Sequence, residues 1–135
     1  MEKPMYTHGE IAASVSLVIP GTIPLIRART LTITYRALCG SSLDANPKVE
    51  LFYSPDGNNW DSIAYTSWTV TYSAGASIQR TMIIDPPEHG YIMAQVTNQS
   101  SADVITNGRL WYTIQSYYHA IMRSKGDIST KENTD

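Results

Sequence analysis

Residues 31–37 read Leu-Thr-Ile-Thr-Tyr-Arg-Ala, and this stretch decides the fold class. Apolar and polar side chains alternate along it with a period of two, which is typical of a β-strand that buries one face and exposes the other. Two rows follow from this alternation: Leu31, Ile33, Tyr35 and Ala37 facing a core, and Thr32, Thr34 and Arg36 facing solvent. The stretch therefore predicts a strand of an antiparallel sheet with one wet face.

Similar segments recur on both sides of this strand. Alternating or short apolar runs occupy residues 11–19, 49–53, 60–65, 68–72, 78–84, 91–97 and 110–118. Turn residues separate the runs, and Asn107-Gly108 by itself predicts a hairpin. Because no segment of useful length has a helical period, we expect an all-β fold. It would be an antiparallel two-sheet β-sandwich, jelly-roll-like, of about eight or nine strands.

Chain length fits one domain with one hydrophobic core, since the protein has 135 residues. We assign the sandwich to residues 10–122, between a polar N-terminal arm at 1–9 and a polar C-terminal tail at 123–135. The tail has too few apolar side chains to pack by itself. We expect it to be ordered only where it docks on a neighbouring surface.

Charge and composition exclude several classes of partner. The net charge is −2 and no basic stripe is present, so nucleic acid is not an expected partner. No run approaches the ~20 apolar residues of a membrane span, and no signal-peptide core follows the start, so we expect a protein made in the cytoplasm. The lone Cys39 cannot form an internal disulfide, and no zinc-ligand spacing exists. No cofactor is expected.

A hairpin-like segment at residues 49–60 carries a family resemblance. It reads Val-Glu-Leu-Phe-Tyr-Ser-Pro-Asp-Gly-Asn-Asn-Trp, and it resembles the Tyr-Ser-x-Asp-Gly-x-x-Trp hairpin of galactose-binding-like (discoidin-type) jelly rolls. Similar hairpins occur in small sandwich domains of phage tail and capsid accessory proteins. The strand pattern extends the resemblance loosely over residues 31–113. It implies a virion protein or a carbohydrate-binding module, although this chain lacks the disulfide often found in extracellular members.

Residues in this hairpin could in principle bind calcium. Asp56, Asn58 and Asp61 offer hard oxygen ligands at close spacing. An EF-hand loop would continue to a Glu at its twelfth position, where this chain has Ser67. Turns also use Asp and Asn for their own backbone hydrogen bonds. The sequence favours a structural turn.

The aromatic side chains are the main binding candidates. Both alternating rows of residues 110–118 contain aromatics, so one row must face away from the core unless another part of the chain covers it. An exposed aromatic row indicates a subunit interface or a sugar-binding platform. The candidate residues are Trp60, Trp68, Tyr72, Trp111, Tyr117 and Tyr118.

Three classes of function remain open. A structural or interaction protein, such as a virion accessory protein that assembles with other subunits, explains the low charge, the aromatic last strand and the polar ends. A carbohydrate-binding module that uses exposed Trp and Tyr is the alternative. Histidines are far apart, no nucleophile motif frames a serine, and carboxylates are scattered. The sequence therefore predicts a protein that is not an enzyme.

Overall fold

The computed structural model describes residues 5–117, and Tyr118, the proposed tail at 123–135 and the far end of the assigned sandwich lie outside them. No helix among the described residues is long and apolar enough to cross a membrane. The strands are β1 Met5–His8, β2 Ser16–Val18, β3 Ile23–Ile26, β4 Ala28–Cys39, β5 Lys48–Ser54, β6 Thr66–Thr69, β7 Ser77–Ile84, β8 His89–Thr97 and β9 Ile105–Ser116.

These strands form two antiparallel sheets. Sheet A has the order β1-β9-β4-β7, and sheet B has the order β2-β8-β5-β6 with β3 also paired to β8. Since β2 and β3 follow one another along the same side of β8, they act as one interrupted edge strand. The chain crosses between sheets at every connection apart from β2–β3 and β5–β6. This arrangement confirms the predicted all-β jelly-roll sandwich.

The core lies between the two sheets and is built from alternating rows. In β4 the four residues of the predicted inner row are at most 1% exposed. In β8 the alternation expected from the sequence also holds, with Ile92, Ala94 and Val96 buried. Val49 and Leu51 of β5 complete the facing layer of sheet B. Strands with neighbours on both sides therefore follow the period-two rule.

The alternation fails at the edge of sheet B. A continuous strand is expected over residues 11–19, but a turn interrupts it and Ser14 has a positive φ of 62°. Val15 and Leu17, expected to face inward, are exposed, whereas Ile11 and Ile19 are buried. An edge strand has a neighbour on one side only, so its side chains are less completely covered.

Three other local expectations are wrong. Residues 60–65 form no strand, and the return to sheet B begins only at β6. Asn107-Gly108 is not a hairpin but lies within β9, where the register with β4 shifts and Asn107 has a φ of 53°. This is a β-bulge, which also uses positive φ. Residues 1–9 are not an irregular arm throughout, because Met5–His8 pair with β9.

Buried His8 explains why this N-terminal segment belongs to the sandwich. Its Nε2 lies 2.6 Å from the Tyr35 hydroxyl, and its Nδ1 lies 2.7 Å from the Gly9 carbonyl. A carbonyl only accepts, so Nδ1 carries the proton and Nε2 accepts from Tyr35. Gly108 lies opposite, and the His8 ring occupies the space that a Cβ there would need. Burial lowers the pKa of His8.

A second buried polar group joins loops at one end of the sandwich. The Asn98 side chain donates to the carbonyls of Ile11 and Asp103 at 3.0 and 2.8 Å. It also accepts from the Ser100 N–H at 3.0 Å. Asn98 is fully buried, so these bonds replace the water that it loses. They connect the segment before β2 to the β8–β9 loop.

We expect His8→Leu to lower the free energy of unfolding by about 1–3 kcal/mol, because it leaves the buried Tyr35 hydroxyl without its acceptor. In the parent protein, stability should fall as the pH drops below 6.5, since the unfolded chain binds the proton that folded His8 resists. His8→Leu should remove this slope. Urea unfolding across this pH range measures both effects. The exposed His89→Leu is the control, and an unchanged slope in His8→Leu would contradict the assignment.

Candidate functional site

The turn after β5 is held together by one carboxylate. Oδ1 of Asp56 accepts the backbone N–H groups of Asn58 and Asn59, both at 2.8 Å, and Oδ2 accepts the Asn59 side-chain amide at 2.6 Å. Bonds from Asn59 and Asn58 hold the pKa of Asp56 far below its usual range. Gly57 has a φ of 83°, which the turn requires.

In this geometry Asp56, one of the three weak calcium-ligand candidates, uses its carboxylate to hold the turn. Both oxygens of Asp56 are engaged within the turn, and the buried Ser54 hydroxyl accepts the Gly57 N–H at 2.8 Å. Asp61 contributes its backbone N–H to the Tyr53 carbonyl at 2.9 Å. Across residues 5–117 no three His, Cys, Asp or Glu side chains cluster in a way that could hold a metal ion. The segment acts as a turn.

The prediction that Trp68 is a surface binding residue is wrong. Its side chain is only 6% exposed and belongs to the core of the sandwich. Its partner across the strand pair is Val49, which faces the core, and directly opposed residues share a face. Its indole cannot stack on a ligand. The Trp68 Nε1 has no hydrogen-bond partner among the described residues.

The other aromatic candidates do not form one cluster. Trp60 is half-buried in the connection between β5 and β6, on the side of sheet B. Tyr72 is 38% exposed in the loop before β7, and its N–H donates to the Asn46 side chain at 3.0 Å. Tyr117 is 42% exposed just after β9. Tyr118 lies outside the described residues.

Trp111 lies on the outer face of sheet A. Its neighbours in sequence, Leu110 and Tyr112, are buried, so the alternation of β9 directs Trp111 away from the core. It is half-buried and lies opposite Thr34 of β4 and Met5 of β1. The prediction that the last strand carries aromatics on both faces is therefore correct for Trp111 and Tyr112.

The sequence did not predict two surface features, one on the outer face of sheet A and one at the edge of sheet B. Arg36 and Arg109 lie directly opposite one another on the outer face of sheet A, next to Trp111. The alternation of β4 predicted that Arg36 faces solvent, but its partner on β9 follows from the register between the two strands, which a single strand's pattern does not show. The exposed apolar edge at β2 was missed because residues 11–19 were expected to alternate regularly.

Comparisons with known proteins agree with this fold. No protein-family model and no curated protein sequence matches the chain. The enzymatically active domain of bacteriophage CBA120 tailspike protein 4 is similar, with TM-score 0.53, 9% identity and 84% of this chain covered. A chain of infectious bursal disease virus, Gx strain, gives TM-score 0.50, 13% identity and 84% coverage. A carbohydrate-binding module, CBM4, gives 0.47, 13% and 73%.

The chain spans less than two thirds of each of these proteins: 19% of the tailspike chain, 32% of the viral chain and 61% of the CBM4 chain. At these identities the similarity concerns the fold alone. The tailspike and viral structures, with TM-scores of at least 0.50, agree with the predicted resemblance to jelly-roll sandwiches of phage and capsid proteins. The fold therefore defines this protein as a two-sheet jelly-roll sandwich.

We expect Asp56→Asn to lower the urea midpoint of unfolding, because the amide replaces a carboxylate that accepts several hydrogen bonds. The folded pKa of Asp56 is depressed, so its contribution is complete above the unfolded value of 3.8 and is lost as the pH falls below it. The difference between Asp56→Asn and the parent should therefore narrow in acid. Asp61→Asn is the matched control in the same segment. Equal effects of the two substitutions would contradict the role given to Asp56.

Proposed function

We propose that this protein is a non-enzymatic structural and interaction protein, a capsid or tail accessory subunit of a phage-type virion. Copies of the chain associate through the β2 edge of sheet B. One observation carries the proposal: β2 is an open edge strand with exposed apolar side chains and no charge. The terminal arms, through which the sequence also predicts assembly, extend beyond residues 5–117, and the proposal is argued from the described residues.

The backbone of β2 is available for pairing. The carbonyl of Val15 accepts the Asn98 N–H at 2.9 Å, so the odd-numbered residues direct their backbone groups towards β8. Hydrogen bonding alternates along an antiparallel strand. Ser16 and Val18 therefore present N–H and C=O groups at the open side, where no described strand pairs with them.

The side chains of this edge are those of an interface. Val15, Leu17 and Val18 are 44%, 36% and 44% exposed, and Ile26 of β3 is 69% exposed further along the same edge. Sheet edges are usually protected by charged side chains or prolines. Residues 11–26 contain no charged side chain. Residues 16–18 of β2 have neither a charge nor a proline, so this apolar part of the edge is expected to be covered by another chain, whereas Pro24 protects β3.

A second copy of the chain fits this edge. Two β2 strands can pair antiparallel about a two-fold axis through Leu17, which places Ser16 opposite Val18 in both copies. No like charges meet in such a pair. Pro24 lacks a backbone N–H and limits pairing along β3. The association is therefore confined to β2 and to the apolar side chains beside it.

The similarity in fold to phage and viral proteins supports the proposed place in a virion. Of the three similar structures described above, those with a TM-score of at least 0.50 are the enzymatically active domain of a phage tailspike and a viral chain. Neither identifies the function of this chain. The carbohydrate-binding alternative would use a different surface, the outer face of sheet A around Trp111.

We expect the full chain to have more than the monomer mass at micromolar concentration in size-exclusion chromatography with light scattering. Val18→Lys should weaken association by at least about tenfold, because a lysine at an open strand edge opposes pairing. Ser67→Lys is the matched control. It introduces the same charge at an exposed position of β6, the opposite edge of sheet B.

Two results would overturn the proposal. One is a parent chain that remains monomeric at every concentration. The other is a parent oligomer that both lysine variants weaken equally or leave intact, because association would then use another surface. Circular dichroism of each variant separates loss of pairing from loss of folding.

A further inference from the structure

The outer face of sheet A carries a second, unrelated surface. Cross-strand register places Arg109, Arg36 and Gln79 in one row, and Trp111, Thr34 and Thr81 in the adjacent row. Directly opposed residues in a sheet share a face. All six side chains therefore project from the side of sheet A that faces away from the core. We call this surface the Trp111 groove.

Arg36 and Arg109 form a like-charge pair in this groove. Both are exposed, and like charges that face each other across a strand pair are destabilising. Neither arginine forms an ion pair with any described residue. The ion pair present among these residues joins Lys48 and Glu50. Two opposed arginines that line the same pocket and have no ion pair with a described carboxylate suit an anionic group. Their planar donors match the geometry of a carboxylate.

Two open pockets on this face share Trp111 as a lining residue. The first has a volume of about 330 Å³ and is lined by both arginines, Ser77, Asn107 and Trp111. The second, about 400 Å³, lies towards Thr34 and Thr81 and also contacts Trp111. Each is within the range of ligand sites, roughly 300–1,000 Å³. Together they form a groove that crosses the strands of sheet A.

The chemistry of the lining indicates the class of ligand. An indole face offers apolar contact to a flat ring, as in other aromatic binding surfaces. Hydroxyl and amide groups from Thr34, Ser77, Gln79 and Asn107 can exchange hydrogen bonds with ligand hydroxyls. The arginine pair adds one anionic subsite. A ring that carries both hydroxyl groups and a carboxylate satisfies all three features.

We propose that the Trp111 groove binds an acidic saccharide, with the sugar ring on Trp111 and its carboxylate between Arg36 and Arg109. A long phosphate polymer fits the groove less well, because strong nucleic-acid binding needs many basic contacts. The net charge of the chain is −2, with 10 Lys and Arg in all. The groove lies in sheet A and the β2 edge lies in sheet B, so this inference does not depend on self-association.

Isothermal titration calorimetry of the full chain tests the proposal with matched probes. An oligogalacturonate and its methyl ester have the same rings, but only the first has free carboxylates. We expect the free acid to bind at least about tenfold more tightly than the ester. A neutral cello-oligosaccharide should bind no better than the ester. A short oligothymidylate and inorganic phosphate test for a general anion site.

Variants connect this preference to the named residues. Arg36→Gln should reduce the acid-to-ester preference by about tenfold, whereas Trp111→Ala should weaken acid and ester alike. Arg29→Gln, the same change at an exposed position of β4, is the matched control and should bind like the parent. Without ligand, Arg36→Gln should melt no lower than the parent, because it removes a like-charge contact. A purely structural role for Arg36 would lower the melting temperature.

The proposal is overturned by any of three results. Equal affinity for the free acid and the ester would exclude a carboxylate subsite. Binding of oligothymidylate or phosphate as tight as that of the oligogalacturonate would show a general anion site. Absence of binding to every carboxylated probe would exclude acidic saccharides as the ligand class. None of these outcomes bears on the oligomeric state of the chain.

Discussion

The strict alternation of β4 is the constraint on which the other features of the sandwich depend. A shift of one residue would move Leu31, Ile33 and Tyr35 from the core to solvent, so burial of this row fixes the register of β7 and β9 on either side. The same register sets the outer face of sheet A. Arg36 lies beside Trp111 and opposite Arg109 because the inner row is apolar. The core and the candidate groove therefore lie on opposite faces of the same set of paired strands.

Strands with two neighbours could be predicted from the sequence, and edges and bulges could not. Alternation in β4 and β8 is imposed by burial of one face, which leaves a local signal. His8 gives no such signal, because the residues around it are polar. Its burial depends on Tyr35, which supplies a hydrogen bond, and on Gly108, which leaves space for the ring. These partners are distant in sequence, and only the folded register brings them together.

The candidate site could be predicted only in part for the same reason. Trp111 was identified because aromatics on both rows of one strand cannot all be buried in a simple sandwich. Trp68 was misassigned because it was counted among aromatics beyond the needs of the core, although its apolar row, which alternates with Thr69, faces inward. The Arg36–Arg109 pair depends on the register between β4 and β9, which the sequence obscures because Asn107-Gly108 indicates a hairpin but forms a bulge within β9. Single-chain patterns locate side chains on faces, but cross-strand pairs require the register.

The two proposed surfaces differ in how each would contribute to binding. The β2 edge is apolar and uncharged, so association there is driven by burial and strand pairing and should be little affected by salt. The Trp111 groove is open, polar and cationic, which suits a weak ligand that exchanges readily. Because the surfaces belong to different sheets, pairing at β2 leaves the groove of each copy uncovered by the contact itself. Two paired copies would then present two weak sites to one long saccharide, and linked binding raises the overall affinity without any new contact. Association through sheet B would thereby increase the overall affinity of the groove on sheet A for a long saccharide.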